Sequence, residues 1–207
     1  MSKKPIIVFE GIEGSGKSYH INNVAKYLRK KNIKFIRIRE PGGNKNSEKI
    51  RKLILSNKST FNKQTDLLLY MSARSENVEF IRKNYKKKII LIDRFVDSTI
   101  AYQHYGMGVN IKFIKMINDY LLKDINIDFT FLNLVNRKNM LERLSKRKTL
   151  NRYDQFNSSF YKNVQEGFIK IVKKNPKKYM KIDSNLNIGG NENKILNKIE
   201  KLIWLWR

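Results

Sequence analysis

The chain has 207 residues, with Lys+Arg 44 against Asp+Glu 18 and a formal net charge of +26. That length suits one α/β domain spanning residues 1–207, and the absence of cysteine excludes both disulfides and thiolate metal sites. No apolar run approaches a membrane span, and the basic start MSKKPIIVFEG loses its apolar character at Glu10, too early for a signal peptide, so a cytoplasmic location without membrane contact is expected. So large a positive excess invites a nucleic-acid partner. Its runs (Lys86–Lys88, Lys173–Lys174, Lys177–Lys178) are scattered, however, and the expectation is a solvated surface that attracts anionic substrates.

Ile6–Phe9 is β-branched or aromatic throughout and is the first predicted strand. The segment Gly11, Ile12, Glu13, Gly14, Ser15, Gly16, Lys17, Ser18 follows it with the G-x-x-x-x-G-K-[ST] spacing of a phosphate-binding loop. Glycines let the chain turn sharply and bring backbone N–H groups close to an anion. Lys17 is expected to reach the β- and γ-phosphates of ATP, and Ser18 to ligate Mg²⁺. A helix over Lys17–Lys30 adds the positive end of its dipole.

A second strand, Ile33–Ile38, leads into RIREPGGN, whose Pro41-Gly42-Gly43 demands an irregular loop. Arg39 offers a planar fork for a second phosphate, with Glu40 placed to hold it. Helices are predicted over Ser47–Leu55 and Lys63–Asn84. The third strand, Ile89–Ile92, ends in Asp93 and Arg94. The carboxylate falls where a Mg²⁺ partner sits in phosphate-loop enzymes, and the guanidinium can reach the second phosphate. Further helices are expected over Ser98–His104, Lys112–Leu122, Arg137–Leu144, Ser158–Lys173 and Asn193–Trp206, with strands at Phe129–Leu134 and Tyr179–Ile182. The closing WLWR is expected to pack onto the sheet. Strands alternating with helices predict a five-stranded parallel sheet flanked by helices on both faces, the three-layer fold of phosphate-loop NTPases, with ligands beyond the carboxyl ends of the strands. The polar stretch Lys146–Asn157 is the candidate lid.

Two phosphate sites at one sheet edge imply transfer between two phosphorylated molecules, which sets this chain apart from a GTPase or motor. FEGIEGSGKS, REPGG and DRFVDSTIAYQ, in that order and spacing, resemble thymidylate kinase, and the resemblance covers essentially the whole chain. It implies phosphorylation of dTMP to dTDP by ATP with Mg²⁺, in dTTP synthesis, by a homodimer. It places Glu13 near the acceptor's 3′-hydroxyl and phosphate, and Arg39 and Arg94 on that phosphate. Tyr70 is implied to stack on thymine and Arg74 to read its O4. Ser98, Thr99, Tyr102 and Gln103 are implied to line the nucleoside pocket, with Tyr102 crowding the 2′ position.

One class of the family carries an arginine inside the phosphate loop; Gly14 stands there, so the chain resembles the bacterial class, whose arginines come from a lid over about 143–157. Arg147 and Arg152 are the implied catalytic lid arginines, with Arg143 beside adenine. Ser145 and Asn151 depart from the family pattern, which has a basic and an acidic residue near them. Two other readings stay open on the sequence: a kinase for a different nucleoside monophosphate, and a nucleic-acid-binding ATPase.

Overall fold

Five strands, β1 (Ile6–Glu10), β2 (Phe35–Arg39), β3 (Ile89–Asp93), β4 (Phe129–Leu134) and β5 (Tyr179–Asp183), form one sheet in the order β2-β3-β1-β4-β5. Every pairing is parallel. The structure is a computed structural model that describes residues 3–204. β1 is buried along its whole length and β3 at all positions but Asp93, which is why both are apolar without alternation.

Parallel neighbours need crossovers, and helices supply them on both faces. On one face α1 (Lys17–Lys30) and α8 (Ile188–Trp204) cover Phe9, Leu91 and Phe131 with Ile21, Leu28 and Ile199. On the other, α3 (Lys63–Asn84) lays Val78 and Ile81 over Val8, Ile90 and Ile92, while α7 (Ser158–Lys174) brings Phe160 and Phe168 to Leu132. Each such buried side chain contributes roughly 1.5–3 kcal/mol before entropic costs. The expected three-layer α/β arrangement is therefore present. Among the described residues no helix is long and apolar enough to cross a membrane.

Several boundaries differ from the sequence reading for identifiable reasons. β2 begins at Phe35 rather than Ile33, because Asn32 takes φ 55° and the Ile33 N–H closes back on Leu28 O at 2.9 Å, capping α1. The second helix, α2 (Lys45–Leu55), starts two residues early because the Asn44 side chain accepts from the Asn46 and Ser47 N–H groups. Asparagine caps recur: Asn62, Asn110, Asn136 and Asn157 start α3, α5 (Ile111–Leu122), α6 (Arg137–Ser145) and α7 in the same way. The abundance of asparagine is thus partly structural.

α8 starts at Ile188, where Asn187 accepts from Gly189 N at 2.8 Å; its expected end at Trp206 lies outside the described residues. Within WLWR, Trp204 is 74% exposed and does not pack onto the sheet. The helix after β3 opens as α4 (Val96–Thr99) and then widens over Ile100–Gly106, with Met107 N donating to Tyr102 O five residues back at 3.0 Å.

The register carries the functional consequence. Phe9 lies level with Asp93, and Asp93 with Arg39, so β1, β3 and β2 end at one rim. Whatever follows those three strands faces the same space.

Candidate active site

The loop leaving β1 is pressed against β4. A Cβ at Gly11, whose φ is 140°, would stand 2.3 Å from Asn133 O, so no side chain fits there. Inside the loop, buried Lys17 donates from Nζ to Gly11 O and Ile12 O, both at 2.8 Å. Burial, reinforced by the nearby Arg94 charge, lowers the Lys17 pKa to about 7, against the pull of Asp93 and Glu13. Ser18 Oγ donates to Asp93 Oδ2 at 3.3 Å, joining the loop to the end of β3. Gly14 has φ 68°, and a Cβ there would approach the Met140 backbone to 3.1 Å, so the arginine of the other class has poor footing at this position. Arg143 braces the loop from outside, donating to Gly14 O and Ser184 O at 2.8 Å each, and Ser184 Oγ donates to Ser15 O.

Opposite the loop stands Arg94, a non-glycine residue at φ 65°. Its guanidinium donates to Gly11 O and Glu13 Oε1 at 2.8 Å and to Tyr102 Oη at 3.2 Å. Burial alone would lower its pKa, but Tyr102, Glu13 and Asp93 outweigh this and hold it above the ordinary arginine value. The turn is clamped from β1: Glu10 accepts from Phe95 N at 2.8 Å, Ser98 N at 3.2 Å and Ser98 Oγ at 2.5 Å. Burial and then the Asp97 charge push Glu10 up to about 7. The Ser98 hydroxyl is therefore committed to a carboxylate as well as facing the cleft.

Two charge pairings depart from the local expectation. Arg39 is held by Glu48, at 3.1 Å, and not by its neighbour Glu40. Glu40 turns inward to fully buried Arg74, which donates to it from Nε at 2.9 Å and Nη2 at 2.7 Å. Arg74 also donates to Asn118 Oδ1 at 2.7 Å and Thr99 Oγ1 at 2.8 Å. Backbone geometry explains the exchange: at the end of a strand, successive side chains point to opposite faces.

Tyr102 donates to Glu13, and Gln103 Nε2 reaches Tyr153 Oη at 3.2 Å. Tyr70 meets the Tyr153 ring edge-on, with centroids 5.8 Å apart. In the candidate lid stretch, Arg147 pairs with Asp154 and Arg152 with Asp66. One cleft at the rim is lined by Glu13, Lys17, Ser18, Arg39, Tyr70, Arg74, Asp93, Arg94, Ser98, Thr99, Tyr102, Gln103 and Arg147. Residues expected at the phosphate loop and at the second phosphate site thus line one space, whereas Arg143 and Arg152 are not among its lining residues.

The sequence model for "Thymidylate kinase" matches residues 9–195. Curated thymidylate kinases from Thermoanaerobacter sp. and Kosmotoga olearia are 34% and 33% identical, covering 97% and 88% of this chain and 100% and 88% of their own lengths. A crystal structure of thymidylate kinase from Ehrlichia chaffeensis superposes with TM-score 0.77 at 31% identity, over 96% of this chain and 99% of that one. The chain belongs to the thymidylate kinase family. It is a nucleoside monophosphate kinase with a phosphate-loop NTPase fold, and the family's reaction is phosphorylation of dTMP to dTDP with ATP.

The cleft also contains groups for which the sequence gives little signal. Arg51, from α2, lines it with Nη1 donating to Pro41 O at 2.6 Å; burial and then the adjacent Arg39 charge lower its pKa. Its signal was only one basic residue among several on an amphipathic helix. Tyr153 and Asp154 line the cleft from a helical turn at Arg152–Gln155, inside the polar stretch expected to form a lid. Asn151 caps that turn and Asp154 closes back on the Asn151 N–H at 3.0 Å, a reciprocal cap legible as N-x-x-D. Asn151, where the resemblance leads one to expect an acidic residue, thus has a capping role.

Proposed function

We propose that ATP lies with its phosphates on Gly11–Ser18 and that the dTMP phosphate is gripped by Arg39 and Arg94, the two tails meeting at the shared rim. The observation that carries this reading is the register that levels Arg39, Asp93 and the end of β1. Ser18 Oγ and the Asp93 carboxylate, 3.3 Å apart, form a hard-oxygen pair suited to Mg²⁺. When bound there, Mg²⁺ neutralises charge on the ATP phosphate oxygens.

Lys17 exchanges its loop carbonyls for phosphate oxygens. Arg94, fixed by Glu13 and the Gly11 carbonyl, orients the acceptor for in-line attack. No general base is required, because a phosphate monoester is largely ionised above its second pKa of about 6. Tyr70 takes the thymine face, while Tyr102, tied to Glu13, crowds the 2′ carbon. Thr99 and Gln103 stand beside the base. Arg74 reaches O4 by yielding an N–H now given to Thr99. Arg143, bridging Gly14 and Ser184, borders adenine.

The lid over 143–157 then excludes water and brings Arg147 to the transferred group. Arg147→Ala is expected to lower kcat about 10²-fold, the low end for one preorganised donor. Unchanged steady-state turnover of dTMP would remove Arg147 from catalysis.

A homodimer completes the reading, working in the cytoplasm for dTTP synthesis and without a nucleic-acid partner. Phe113, Met116 and Tyr120 recur at spacings of three and four on α5, which packs on α3, and are 37%, 59% and 69% exposed. Sedimentation equilibrium should find a dimer that Met116→Lys dissociates; a wild-type monomer, or a variant dimer of equal affinity, contradicts this interface.

A further inference from the structure

Asp66 sits in the first turn of α3, is 1% exposed, and belongs to none of the motifs that identify the family. Its carboxylate nevertheless gathers side chains from two distant segments. Arg152 Nη2 and Tyr153 Oη, both from the lid turn, donate to it, and Gln103 Nε2 of the nucleoside pocket approaches at 3.4 Å. Gln103 Nε2 also donates to Tyr153 Oη at 3.2 Å. Tyr153 stands edge-on to Tyr70 and 6.0 Å, centroid to centroid, from Tyr102.

A buried ion pair of this kind contributes little net stability compared with apolar packing, and its best-attested use is to fix one arrangement among several. Here the arrangement fixed is that of the lid turn over the acceptor pocket. The turn also carries Asp154, the partner of Arg147, so its placement sets where the Arg147 guanidinium stands. Two buried polar atoms of the same cluster, Gln103 Oε1 and Arg152 Nε, have no partner, so the cluster retains bonding capacity, and Gln103 lines the cleft.

We propose that Asp66 is a positioning residue for phosphoryl transfer: it docks the lid turn through Arg152 and Tyr153, and thereby holds Arg147 at the transferred phosphoryl group. Arg152 is then the lid's anchor, and Arg147 the lid arginine that meets the reacting atoms. The assignment rests on the proposed lid role of Arg147. It differs from that role in naming what fixes the lid and in taking Arg152 away from the chemistry.

The test is a kinetic cycle on Asp66→Asn, Arg147→Ala and the double variant, with dTMP and ATP as substrates and thermal melting as a check on folding. Asp66→Asn is expected to lower kcat at least tenfold while leaving ATP affinity, measured without dTMP, within twofold. In the Arg147→Ala background the same substitution should cost less than threefold, because the group it positions is gone. Arg152→Ala breaks the contact from the lid side, leaving α3 intact, and should reproduce the loss. A loss of threefold or more that persists in the Arg147→Ala background, or an Asp66→Asn effect below tenfold in the wild type, overturns the proposal. Should Arg147→Ala alone leave turnover unchanged, the lid reading itself fails and this assignment with it.

Discussion

Replacing Lys17 with Met is expected to lower kcat about 10³-fold while the fold persists, measured as steady-state dTDP formation alongside thermal melting. The ammonium is held by the Gly11 and Ile12 carbonyls at 2.8 Å, so it is aimed before ATP arrives and needs little reorganisation to take phosphate oxygens. Met keeps the length of the chain and removes the charge. Folding should lose little, because the native state already disfavours this charge: burial has brought the pKa from 10.5 to about 7.

That depressed pKa has its own signature in binding. At pH 8 the free protein holds Lys17 mostly neutral, and ATP phosphates raise its pKa, so binding takes up close to one proton. At pH 6 the group is already charged and contributes almost no uptake. ATP affinity should therefore weaken as pH rises above about 7. Calorimetry at pH 8 in two buffers of different ionisation enthalpy measures the uptake. It should vanish in Lys17→Met, and equal uptake in both proteins would show that another group titrates.

How much of this was legible in the sequence depended on whether the information was local. β1 and β3 could be placed because strands buried on both faces carry unbroken apolar runs, and the phosphate loop because its glycines answer a backbone demand. The rim followed from those strand ends. Partner choice among charges was not legible. Glu40 adjoins Arg39 in the chain, yet it pairs with Arg74, 34 residues away, while Glu48 one turn into α2 takes Arg39. Nothing in a local pattern records such a choice, because it is settled by which face of a strand end each side chain leaves.

Asp66 shows the same limit. In TDLLLY it looks like a first-turn acid suited to a helix N-terminus. Only the folded chain brings it to Arg152, 86 residues on. The candidate lid is legible as a polar stretch, but the turn inside it at Arg152–Gln155 is not, although Tyr153 there is 3% exposed and Asp154 8%. Lys148 and Thr149 are exposed, whereas Arg152 and Tyr153 are spent on Asp66 of α3 and Asp154 on Arg147, and periodicity cannot distinguish such satisfied polarity from solvation.

Arg94 is the position where side chain and backbone make separable demands, and substitution there should divide them. Arg94→Ala is expected to lower kcat/KM for dTMP about 10³-fold, more than loss of a single phosphate contact. It removes the acceptor grip and also leaves buried Glu13 without its cation. Freed from Arg94, Glu13 presents an uncompensated carboxylate toward the incoming phosphate. Arg94→Gly should lose the same activity yet melt higher than Arg94→Ala. At φ 65° a Cβ carries a left-handed penalty of about 1 kcal/mol that glycine does not. Both variants keep the N–H that donates to Phe9 O at 3.0 Å, so the strand end stays tied to β1. Steady-state kinetics and melting of the two proteins side by side supply the measurement. If glycine restored turnover, the residue would matter through its backbone alone. Equal inactivity with unequal stability would assign the guanidinium to the acceptor phosphate and the strain to the turn that presents it.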